Sequence, residues 1–232
     1  MPFSEQEFLS VFARYNQAVW PLQIAAYAMG AIAVALLFWA SRVSAIMIPT
    51  LLGALWAING FGYHATFFAQ INPFAPVFAA LFLFQALFLG LSPLFFGDMR
   101  FHVRKNMRSL VGLTLIAYAM VAYPIWGRLV GQHYPAVPVF GIAPCPTTIF
   151  TVGILLFAKW RAARWLLVVP AVWAVIGGSA AFVLGMPQDW ALIATLLLLA
   201  AFVVGDWRGQ GRTMPERDTP PAPSRKNPEG GK

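Results

Sequence analysis

Apolar residues run through this chain in long blocks separated by short polar breaks. Blocks at about 18–40, 44–68, 74–96, 109–130, 165–184 and 190–205 each approach the roughly 20 apolar residues that a helix needs to cross a bilayer. A shorter block, Thr147 to Ala158, lies between Pro146 and Lys159. The pattern predicts an all-α fold: a polytopic membrane bundle of seven transmembrane helices, the fifth of them short and broken at its start. The spans occupy residues 18–205.

Two flanking segments differ. Ser4-Glu5-Gln6-Glu7 has the S-x-x-E spacing of a capping box, and Phe8, Val11, Phe12, Tyr15 and Val19 recur at helical intervals. Residues 1–17 therefore predict a short amphipathic helix on the membrane surface. They are not a signal peptide, because Glu5 and Glu7 stand where a basic n-region belongs. From Asp206 the composition turns to Gly, Pro and charge, so residues 206–232 predict a disordered basic tail.

Charge fixes the expected orientation. With the tail in the cytoplasm and seven spans before it, fourteen of the sixteen lysines and arginines fall inside, and only Arg14 and Arg128 fall outside. The positive-inside rule then holds at every loop: N-terminus out, C-terminus in. The net charge of +8 is accordingly a topology signal and a surface for anionic lipid headgroups, not a nucleic-acid footprint. Charged residues make up 10% of the chain, against about 25% in soluble domains, so the expected partner is the lipid bilayer itself.

The chemistry available inside the membrane is sparse. No Asp, Glu, Lys or Arg lies in the middle of a span, which weighs against a carboxylate-driven pump and removes a Schiff-base lysine. One cysteine excludes an internal disulfide and a cysteine-only metal cage. His64, His133 and Cys145 could together supply a soft-metal donor set, but their spacing fits no metal motif; no metal site and no cofactor are expected. General acid–base catalysis wants paired titratable groups, so an enzyme is not the expected reading.

Polar side chains gather instead in the middle and outer half of the bundle. The second span delivers Asn59, Tyr63, His64, Thr66 and Gln70, with Asn59, Tyr63, Thr66 and Gln70 on one helical face. The third offers Gln85, the fourth Tyr118 and Tyr123, and the fifth opens with Cys145, Thr147 and Thr148. From Pro146 to Ala158 the fifth helix is only about 20 Å long, so the apolar approach YPAVPVFGIAP is expected to dip inward to meet it. Pro146 suits the first helical position with Cys145 as cap, leaving a helix N-terminus open to the outer side, as in the broken helices of transporters. Gly177, Ala181 and Gly185 have the small-xxx-small spacing of close helix packing.

The runs RYNQAVWPLQ, WAINGFGYHATFFAQINPFAPVF and GIAPCPTTIFTVGILL resemble a bacterial family of integral membrane proteins catalogued only as a domain of unknown function. The resemblance covers nearly all of the chain except the tail, and it implies a bacterial inner-membrane location without an activity. The expected function is that of a small permease, channel or solute-binding protein with an outward-facing polar pocket formed by the residues named above. The alternative is a seven-span sensor or accessory subunit acting through its basic inner loops and tail.

Overall fold

The computed structural model describes residues 3–97 and 99–211, the last six by backbone alone. Asp98 in the basic loop and residues 212–232 of the expected tail lie outside the described residues. The chain divides into two units, Met1–Leu197 and Leu198–Lys232. Ten α-helices are described: α1 Glu5–Ala18, α2 Leu22–Leu37, α3 Arg42–Ala57, α4 Ala75–Phe95, α5 Met107–Ala117, α6 Tyr123–Leu129, α7 Pro144–Leu155, α8 Trp160–Leu166, α9 Val168–Val183 and α10 Trp190–Gly211. The last carries helix past the Gly205 boundary at which the sequence predicts the tail to begin.

Four helical stretches are long and apolar enough to cross a membrane: Arg42–Gln70, Ala75–Phe95, Met107–Leu129 and Pro187–Gly205. Two bent pairs raise the number to six, α1 with α2 (88°) and α8 with α9 (44°), and α7 is a further short apolar helix. Their outer faces carry Ile24, Ile32, Val77, Phe84, Leu87, Leu94, Val172 and Phe182, all exposed. So much exposed apolar surface is out of place in water and suits acyl chains. The described residues are helical, and four to six of their stretches are long and apolar enough to cross a membrane.

The capping box at Ser4 and Glu7 forms as the sequence predicts. The 88° turn after α1 falls at Trp20–Pro21, where proline disfavours helix at the residue before it. Val11, Phe12, Tyr15 and Asn16 of α1 are buried, with Phe12 stacked on Tyr63 (centroids 4.8 Å apart). Its apolar face thus packs on the bundle.

Helix α7 is the axis. From Pro146 to Leu155 every residue is buried, as expected of a helix apolar on all sides. It runs antiparallel to α5, where Gly112 and Gly153 bring the two backbones together: a Cβ on Gly153 would stand 2.9 Å from the Gly112 carbonyl. It also runs antiparallel to α3, bridged by Trp56 Nε1 donating to Thr151 Oγ1 at 2.9 Å. The approach descends as predicted, from exposed Tyr134 to Phe140, Ile142 and Ala143, which are fully or almost fully buried. It lies against α2, where Gly30 makes room for the Phe140 ring, and it turns at Gly141 (φ +79°).

One local feature departs from expectation. After Ala57 the helix widens into π-helix over Ile58–Phe67 and closes in a 3₁₀ turn at Phe68–Gln70. A second π segment, Tyr118–Ala122, joins α5 to α6. The wider turn changes which residues share a face. Asn59, Gly60, Tyr63 and His64 point inward together, whereas Thr66 and Gln70, predicted on the same face as Asn59, are exposed. Thr66 Oγ1 bonds the carbonyl of Phe61, five residues back, in the π register.

Substituting Gly153 by Ala should lower stability by about 1–3 kcal/mol, because the added methyl meets backbone that cannot yield. Gly90→Ala, where a Cβ meets nothing within 4 Å, should instead be neutral or stabilise by up to about 1 kcal/mol. Thermal unfolding of the two variants in one detergent checks the contrast.

Candidate functional site: an aromatic cavity beside the broken helix

The start of α7 is built from its neighbours' amides. Asn59 Nδ2 donates to the carbonyls of Leu55 (2.8 Å) and Gly141 (3.0 Å) and lies 3.3 Å from Thr147 Oγ1. Asn16 Nδ2 donates to the carbonyls of Pro135 (2.6 Å) and Val137 (2.8 Å). The bonds to Gly141, Pro135 and Val137 satisfy backbone that has no helix or sheet to serve it. Thr147 and Thr148 turn their hydroxyls back onto the carbonyls of Ala143 and Pro144, so they complete the helix start and offer no free donor.

The helix begins two residues earlier than predicted. Pro144, not Pro146, holds the first position, Ala143 precedes it without a side-chain cap, and Cys145 lies inside the helix. The reason is chemical: Pro144 and Pro146 carry no N–H, and Thr147 N already bonds Ala143 O at 3.4 Å. Few donors need a cap. This end therefore presents far fewer N–H groups than an ordinary anion-binding helix terminus.

What it does present is a cavity of about 230 Å³. Phe8, Phe12, Phe68, Phe74 and Phe78 supply an aromatic wall, and Tyr63, His64, Trp173, Cys145 and Asp189 bring the polar groups. His64 is enclosed by rings, with centroids at 4.6 Å (Phe82), 5.0 Å (Trp173) and 5.1 Å (Tyr63). Both its nitrogens and the Tyr63 hydroxyl are buried without a hydrogen-bond partner, and the Trp173 indole nitrogen lies against the Cys145 thiol. The Cys145 thiol lies against the Asp189 carboxyl group and stays partly accessible. Gly177 of α9 lets the sulfur come close: a Cβ there would stand 3.6 Å from Cys145 Sγ.

The remaining predicted residues frame the cavity or lie away from it. Tyr123 donates to Asp189 Oδ1, and Tyr118 donates to the Gln188 carbonyl at 2.8 Å. Both hold the Pro187–Asp189 turn in place. Gln85 is buried elsewhere and donates to the Leu166 carbonyl at the α8–α9 bend, 2.8 Å away. The His64, His133 and Cys145 donor set does not assemble: among the described residues no group of three or more His, Cys, Asp and Glu could hold a metal.

Asp189 and Trp173 are the site residues that sequence reasoning passes over. Asp189 is the only acidic residue between Asp98 and Asp206, and that isolation in an apolar stretch was its signal. Trp173 looks like any other lipid-facing or core tryptophan until α9 is packed. Gln132 and Gln188 are likewise buried and joined, Nε2 of Gln188 donating to Oε1 of Gln132 at 2.6 Å.

Asn59→Leu keeps the volume and strands the Gly141 carbonyl, so it should cost about 1–3 kcal/mol. Thr114→Val, on an exposed helix face, should stay within about 0.5 kcal/mol of the parent. Melting temperatures of the purified proteins test both.

No curated protein and no solved structure matches this chain. A family model does, over residues 5–211, and its description is "Family of unknown function". The whole helical region falls within that match, and the chain belongs to this family, DUF6064.

Proposed function

We propose that this is a seven-span bacterial inner-membrane protein, N-terminus out and C-terminus in, that admits a small amphiphilic solute into the aromatic cavity from the outer side, as a solute-binding protein or permease. The observation that carries this reading is the pair of wholly unpartnered polar side chains, Tyr63 and His64, among the residues lining one cavity. A buried polar group without a partner costs roughly 1–3 kcal/mol. A ligand with an apolar body and one hydrogen-bonding end would recover part of that cost. An apolar cavity of about 150 Å³ takes benzene, so about 230 Å³ suits a substituted ring of that size.

The two ends of the antiparallel helices support that orientation. Arg42, Arg100, Arg104, Lys105, Arg108, Lys159, Arg161 and Arg164 belong to the helix starts and loops of one end. The cavity belongs to the other. Basic loops inside leave the cavity outside.

Cys145, the only thiol, reports on the cavity without mutagenesis. In right-side-out vesicles a membrane-impermeant maleimide should label it. Benzyl alcohol, benzylamine or benzoate, compared at equal concentration, should slow that labelling saturably in at least one case. Trp173→Leu should weaken the protection by about tenfold, a loss of one hydrogen bond and a ring contact. Labelling only after unfolding would remove the outer cavity, and labelling that none of the three solutes slows would remove this solute class.

A further inference from the structure

At the opposite end, two loops that are far apart in sequence are locked together. Phe101 and Ala158 form an antiparallel bridge, and His102 N donates to the Phe157 carbonyl at 3.0 Å. Around this clasp lies a second cavity of about 370 Å³, lined by Arg100 and Arg104 of one loop with Arg108 of the α5 start, and by Lys159 of the other with Arg161 of the α8 start. His102, Asn106 and Ser109 complete its polar lining, and no Asp or Glu is among its described lining residues.

We propose that this clasp is a binding site for a phosphate ester at the membrane surface. Positive-inside topology asks only that basic residues lie in the loops. It does not ask five of them to converge on one concavity, nor a main-chain bridge to hold the two loops in register. Several local contacts fix the groups. Asn106 caps α5 by accepting from Ser109 N at 2.9 Å, and Ser109 Oγ accepts from Arg104 N at 3.1 Å. The Arg108 guanidinium sits 4.5 Å from the Trp160 ring centroid, which joins α5 to α8. The start of α5 adds the positive end of a helix dipole to the same cavity. Guanidinium forks and a lysine ammonium are the groups that recognise phosphate oxygens.

The rim favours a lipid as the source of that phosphate. Val103, Met107 and Leu110 are exposed apolar residues around the basic groups, where acyl chains would lie while the headgroup enters the cavity. A soluble phosphate ester shares the headgroup chemistry without the chains.

The test uses full-length protein in neutral detergent, titrated separately with phosphatidylglycerol, phosphatidylcholine and glycerol 3-phosphate, with binding read by native mass spectrometry. Phosphatidylglycerol should bind well above phosphatidylcholine. Arg104→Gln and Arg161→Gln remove two exposed cations, and each should weaken that binding about fivefold. Arg14→Gln with Arg128→Gln removes the same charge from the other end and should change nothing. Glycerol 3-phosphate binding as tightly as the lipid would assign the site to a soluble ester. Equal binding of the two phospholipids with no response to glycerol 3-phosphate, or a double Arg104/Arg161 variant that binds like the parent, overturns the proposal. Unchanged melting temperatures of the variants ensure that a loss of binding is read as loss of the site.

Discussion

Everything at the cavity end depends on one constraint: a chain that dips into an apolar bundle as irregular backbone must have its carbonyls served. Helices inside a membrane serve their own, and broken segments cannot. Here Asn59 and Asn16 do so, reaching Gly141, Pro135 and Val137. With those bonds in place the approach can descend to Ala143, and α7 can begin inside the bundle. Without them, each stranded carbonyl would carry a desolvation penalty comparable to a lost hydrogen bond.

Two π segments lie close to this interruption. Ile58–Phe67 supplies Asn59 at its start and Tyr63 and His64 farther on. Tyr118–Ala122 leaves the Met120 carbonyl to accept from Tyr27 at 3.2 Å. Widened turns of this kind release backbone groups and re-aim side chains. The first packs against α4 and reaches the broken approach through Asn59, and the second packs against α7. The close glycine contacts, Gly30 on Phe140 and Gly112 on Gly153, keep the rest of the bundle tight around that interruption.

Much of this could be read from the sequence. Apolar blocks place the helices, and the thirteen residues between Pro146 and Ala158 reveal that the fifth is short. The prolines of the approach reveal that it is broken. What the sequence hides is phase. An ideal helical period aligns Asn59 with Tyr63, Thr66 and Gln70, while the π segment keeps Tyr63 beside it and brings in His64 in place of the other two. Nothing local in INGFGYHATF announces the extra residue per turn. Tertiary partners stay hidden for the same reason: Gln85 reads as a mid-membrane polar group, and only packing shows it serving the Leu166 carbonyl.

A buried polar atom without a partner is ordinary evidence of imperfect packing, so its distribution decides what it means. Five of the buried side chains with such an atom are the amides Asn16, Gln23, Asn59, Gln85 and Gln188, and each has only its oxygen unserved while its nitrogen donates a bond. They spend one half of the group on structure. Tyr15, Tyr63 and His64 have no such bond from any side-chain polar atom, and Trp173 meets only the Cys145 thiol. These four are not scattered: Tyr63 and His64 are adjacent, Trp173 packs 5.0 Å from His64 and Tyr15 packs 5.7 Å from Tyr63. Packing error has no reason to collect in one place, and this clustering is what supports the proposed solute site.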